Sequence, residues 1–193
     1  MFEGNFSEGQ SQVAILEDVE GVVSEQSLEA LIQWLYMGQV NFDPKDALDP
    51  GRQTSAIIEF VRLADMCAVT GMESQMTQRL EAILLANAAP VPWSKDYSGV
   101  PVDAYTQALS TDHIFSVECL PQGHPVRRVL AKNSVPGFLR SRKHKFASVM
   151  RDCPKFATDL LEEVGQALER LKAIKGHPCF WDSIKPQWCE FNH

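Results

Sequence analysis

The stretch Leu28-Glu29-Ala30-Leu31-Ile32-Gln33-Trp34-Leu35-Tyr36-Met37-Gly38-Gln39-Val40 decides how the fold is read. Leu28, Leu31, Ile32, Leu35 and Tyr36 recur at the spacings of one helix face. Ser24 stands where an N-cap side chain accepts the first unpaired amides. Gly38 stands where a residue free to take positive φ ends a helix. Val40 and Phe42 then alternate with polar neighbours and predict a short strand.

Upstream, Gly21 separates this helix from Val13-Ala14-Ile15-Leu16, an apolar run with the length of a buried strand. A short stub, Phe2 to Glu8, precedes it. Downstream, Asp43 to Gln53 reads as a loop punctuated by Pro44, Pro50 and Gly51. Ile57, Phe60, Val61, Ala64 and Ala68 predict a helix, and Met76, Leu80, Ile83 and Leu84 a second over Met72 to Ala86, with Gly71 between them. The order is strand, helix, short strand, helical hairpin.

Ala88 to Pro101, holding Pro90, Pro92, Gly99 and Pro101, reads as a linker. Short helical pieces follow, over Val102–Leu109 and from Thr111-Asp112 through Ile114 and Val117. Pro125 opens a helix carrying Val126, Val129 and Leu130. Pro154 opens the clearest one, with Phe156, Leu160, Leu161, Val164, Leu168, Leu171 and Ile174 on one face as far as Gly176. The chain therefore reads as mainly α with a small β component. Its organisation is 1–87, a linker at 88–101, and a helical region at 102–193.

Composition supports a soluble globular chain: of 193 residues 45% are hydrophobic and 22% charged. No apolar stretch approaches the eighteen residues of a membrane span, and Met1-Phe2-Glu3-Gly4 lacks the basic start of a signal peptide. Five cysteines in no tight framework favour reduced thiols, hence a cytoplasmic or nuclear location. The net charge of −7 is unevenly spread. Residues 1–101 carry five Lys/Arg against fifteen Asp/Glu, and residues 102–193 thirteen against ten, so two separate packing units of opposite sign are expected.

Four blocks in order now carry a resemblance. They are Phe2-Glu3-Gly4-Asn5-Phe6-Ser7-Glu8, Val13 to Leu16, the Leu28–Val40 stretch with its Leu-Tyr-x-Gly end, and Val61-Arg62-Leu63-Ala64-Asp65-Met66-Cys67 followed by Gly71-Met72. Together they resemble the BTB/POZ domain, in wording similar to BTB proteins of filamentous fungi, over residues 2–86. A complete BTB domain starts some tens of residues earlier, so the resemblance implies an N-terminally truncated unit. Four segments of the second half resemble the BACK-like helical region that follows such domains. These are His113-Ile114, Leu120 to Arg128, Gly137-Phe138-Leu139 and Cys153 to Leu161.

The resemblance implies a non-enzymatic protein–protein interaction module, either a ubiquitin-ligase adaptor on a cullin scaffold or a transcription-linked scaffold. Truncation would leave Phe2, Phe6, Val13 and Ile15 uncovered for self-association or a protein partner. Met37, Val40 and Phe42 lie where BTB adaptors meet the cullin. Cullin-binding members carry a hydrophobic-x-Glu element after the Tyr-x-Gly, whereas here Phe42 is followed by Asp43 and Pro44.

The chain has no Gly-x-Ser-x-Gly elbow and no P-loop, and the neighbours Cys119 and His124 lack a supporting motif, so no enzyme is expected. No cofactor is required, although His177, Cys179, Cys189 and His193 offer the ligand types of a tetrahedral zinc site. Trp181 and Trp188 could equally form a hydrophobic clasp that leaves those thiols as bystanders. Between Arg127 and Lys155 nine cations face Asp152 alone, with Arg140, Arg142 and Lys143 at the centre. Such a run suits nucleic acid, a solvated face, or pairing with the acidic half of the same chain.

Overall fold

The computed structural model describes residues 22–42, 49–89, 103–174, 177–184 and 187–190. The chain is mainly α-helical with a small antiparallel sheet. The expected strand at Val13–Leu16 and most of the linker lie outside the described residues.

Helix α1 spans Glu25–Met37. Ser24 and Ser27 cap its start reciprocally: the Ser27 amide donates to Ser24 Oγ at 3.1 Å and the Ser24 amide to Ser27 Oγ at 2.9 Å. Gly38 ends it at φ +66°, its amide donating to the Trp34 carbonyl. The face that packs inward is Ser27, Ala30 and Leu31, where small side chains let the next helix approach. Ile32, Leu35 and Tyr36, expected inside, point outward.

No strand forms at Val40–Phe42, which corrects the alternation reading. Side chains satisfy this backbone instead: the Asn41 amide donates to Gln33 Oε1 at 2.8 Å, and the Val40 carbonyl accepts from Arg79 Nη1 at 3.2 Å. Helix α2, Pro50–Met66, starts inside the expected loop because Asp49 caps it, accepting from the Gly51 and Arg52 amides, and Pro50 fills the first turn. Helix α3, Glu73–Ala86, completes the hairpin through Gly71, whose φ of +100° suits glycine.

In the second half a 3₁₀ turn at Ala104–Thr106 leads to α4, Thr111–Val117, capped by Ser110. Helix α5 runs Pro125–Arg140 and α6 Pro154–Glu169, each with proline in its first turn. The last helix stops well before Gly176. After Leu171 the chain forms β1, Lys172–Ile174, β2, His177–Asp182, and β3, Gln187–Glu190, in the order β1-β2-β3. Leu171 and Ile174 keep helical spacing by coincidence, and the β-branched and aromatic residues around Phe180 and Trp181 favour strand.

One hydrophobic core runs from Val22 to Ala167 through both halves. Helix α2 packs on α4 and α3 on α5. The expectation of separate packing units is thereby corrected: opposite net charge says nothing about the apolar faces, and these fuse.

Candidate functional site

The exposed apolar side chains of α1 form the most concentrated outward feature. Leu35, Tyr36 and Met37 are 59%, 87% and 54% exposed, and Ile32 lies one turn earlier, nearly half exposed. Ile32, Leu35 and Tyr36 share one side of the helix, which turns away from the buried Ser27 and Ala30, with the buried Leu31 one turn before Leu35 at its edge. Glu25 and Glu29 are exposed on the same helix toward its start. An apolar ridge with a polar border is the usual character of a docking surface.

Of the sequence-predicted interaction residues, Met37 is exposed at the last turn of α1, to one side of this ridge. Val40 and Phe42 are not exposed, which is a correction. Val40 is buried, and Phe42 meets Phe60 edge-to-face at 6.4 Å with the Arg79 guanidinium 4.7 Å above its ring. The bend after Gly38 turns both into the core. Phe2, Phe6, Val13 and Ile15 lie outside the described residues.

The basic run is mostly consumed within the fold. Arg127 is fully buried with Nη2 2.8 Å from Asp159 Oδ2, while its Nη1 donates to the Leu120 carbonyl. Arg128 pairs with Glu163 at 2.7 Å and Lys132 with Glu81 at 3.5 Å. Lys145 Nζ donates to the Thr106 and Leu109 carbonyls, and Lys155 Nζ to those of Glu118 and Leu120. Arg140 is buried, which corrects its assignment to a nucleic-acid surface, while Arg142 and Lys143 are exposed. Of these pairs only Lys132–Glu81 joins the basic half to the acidic one.

In the expected zinc set, β2–β3 register sets Phe180 opposite Cys189 and Cys179 opposite Glu190. Facing residues share a side of the ribbon and neighbours alternate, so Cys179 and Cys189 emerge on opposite faces. Among the described residues no three His, Cys, Asp or Glu groups converge on a metal position. His193 and the side chain of His177 lie outside them. The clasp reading finds support: Trp181 and Trp188 meet edge-to-face at 5.1 Å, with Lys172 Nζ 5.0 Å from the Trp188 ring centre.

Sequence reasoning missed a Ser–His contact between the halves. Ser55 Oγ on α2 lies 2.9 Å from His113 Nε2 on α4. The Ser110 amide donates to His113 Nδ1 at 3.0 Å, which fixes the ring proton on Nε2, so the imidazole donates to the serine. A ring in that tautomer holds Ser55 in place and does not take its proton. Cys119 and His124 are likewise engaged by other partners. Arg62 Nε lies 3.1 Å from Cys119 Sγ, and His124 Nδ1 accepts from the Val126 amide at 3.2 Å, capping α5. The signal for both histidine roles was their place at helix starts, three residues after Ser110 and just before Pro125.

Against family models, curated proteins and solved structures, the chain matches none. No helix among the described residues is long and apolar enough to cross a membrane. The reading of function therefore rests on the chain's own residues and surfaces.

Proposed function

We propose that the chain is a non-enzymatic protein–protein interaction module of the BTB/POZ type, with a BACK-like helical region behind it. The observation that carries this is the α1 ridge of Ile32, Leu35 and Tyr36, large apolar side chains presented to solvent, the last two belonging to the Leu-Tyr-x-Gly motif. The mechanism is burial of apolar surface against another chain, with no bond made or broken. Self-association is the first form this takes, and a ubiquitin-ligase or transcription-linked scaffold the second.

The test is sedimentation velocity and light scattering across a hundredfold range of concentration. The full chain is expected to associate as concentration rises. Leu35→Ser with Tyr36→Ser is expected to stay monomeric while keeping its circular dichroism. A native chain that is strictly monomeric at high concentration sinks the self-association form. Capture of partners that is equally strong with the double variant sinks the ridge as the docking surface.

A further inference from the structure

The seam between the N-terminal and C-terminal helices carries two neutral imidazoles in places where proteins normally use side chains that do not change charge near neutral pH. His113 occupies the third position of the α4 capping box, the usual place of Glu or Gln, and its Nδ1 accepts from the Ser110 amide. His124 is the N-cap of α5, the usual place of Ser, Thr, Asp or Asn, and its Nδ1 accepts from the Val126 amide. In both rings the accepting atom is the one a proton would occupy. A protonated ring would set N–H against N–H at the start of its helix, and would add positive charge where the helix dipole is already positive.

Both rings also belong to the joint. His113 reaches Ser55 on α2, and α4 packs on that helix. His124 caps α5, which packs on α3 across the seam, and the acidic groups that favour its charged form, Asp65 and Glu73, belong to the N-terminal helices' side of it. We propose that this seam is an acid-sensitive latch, closed while His113 and His124 are neutral helix caps and loosened when both take up protons.

At His113, Asp112 and the Gly51 carbonyl favour a protonated ring, but burial outweighs both, with Lys145 assisting it, and holds the ring below its ordinary range. At His124, burial again dominates over Asp65 and Glu73, with Arg127 assisting burial. Asp159, salt-bridged to Arg127, also accepts from the Gly123 amide at 3.4 Å next to His124. His144, buried and edge-to-face with Phe138 at 5.4 Å, is shifted the same way but has no capping bond of this kind described, so it serves as the internal comparison.

Because the folded rings lie below their unfolded values, their contribution is fully present above about pH 6.5 and is lost as pH falls through it. Each ring that stays neutral in the fold then raises the unfolding constant by up to about tenfold between pH 7.5 and 5.5.

Urea unfolding of the full chain across this range tests the latch, comparing the natural sequence with His113→Gln plus His124→Asn. Gln offers an acceptor to Ser110 and a donor to Ser55, Asn is a standard N-cap, and neither titrates. The double variant is expected to match the parent at pH 7.5. Its unfolding constant should rise at least tenfold less than the parent's by pH 5.5. Equal pH dependence in the two proteins overturns the proposal. Should the double variant fail to fold, ring titration of the folded natural chain by NMR decides. His113 and His124 must titrate below the ordinary histidine range with the proton on Nε2, and titration at or above that range overturns the latch.

Discussion

At the residue scale, the Arg127–Asp159 pair is the most consequential polar contact, since both side chains are fully buried. Burial raises the Asp159 carboxyl, and the Arg127 guanidinium opposes that rise. A buried pair stabilises little relative to apolar residues of equal volume, but breaking it strands a charge. Arg127→Met or Asp159→Leu alone should each cost about 3–5 kcal/mol, and the two together distinctly less than the sum. Urea melts of the three variants measure this, and strict additivity would show the pair to be uncoupled. Glycine positions make a second residue-scale prediction. Gly71→Ala, at φ +100° with Trp34 3.5 Å from the new Cβ, should lose about 1–3 kcal/mol, more than Gly38→Ala at φ +66° in open space. Thermal melts of both variants would check the ranking. The sequence shows such residues only as types. Nothing in the run from Arg127 to Lys155 tells which cation is buried, because the partners Asp159, Glu163 and Glu81 stand up to 51 residues away.

At the element scale, caps were legible and faces were not. Ser24, Pro125 and Pro154 announce helix starts through local chemistry that any chain with those residues shares, whereas Pro50, read as a loop breaker, opens a helix because Asp49 caps it. Ser24→Ala should therefore cost about 1 kcal/mol, measured by urea unfolding at pH 7.5. It also removes the 3.0 Å bond from Ser24 Oγ to Glu59, so Glu59→Gln in the same background should add little. Which face a helix buries depends on its neighbour. Helix α1 presents Ala30 and Leu31 to α2, so Leu35 and Tyr36 are left outside. Helix α6 repeats the pattern, with Leu160 buried and Leu161 and Leu168 exposed. The β meander escaped notice because β1 is three residues long, too short for a period of two to outweigh the helical spacing before it.

At the scale of the whole molecule, a charge boundary and a folding boundary are different things. The acidic and basic segments divide at the proline-rich stretch, yet their apolar faces form a single core, with α2 against α4 and α3 against α5. A shared core means that neither segment can lose its packing without exposing the other's, so unfolding should be one cooperative transition. Trp34 reports on the first segment, and Trp181 and Trp188 on the sheet that ends the second. Their fluorescence, separated by single-tryptophan variants, should give coincident urea midpoints with far-UV circular dichroism. Leu63→Ala, in the buried face of α2, removes core volume on one side of the seam and should cost about 2–5 kcal/mol. Phe156→Ala, in α6 on the other side, should cost about 3–5 kcal/mol. If the core is continuous, each substitution moves both tryptophan transitions together. If Leu63→Ala moved only the Trp34 transition, the two segments would be separate folding units after all, and the charge boundary would also be a structural one.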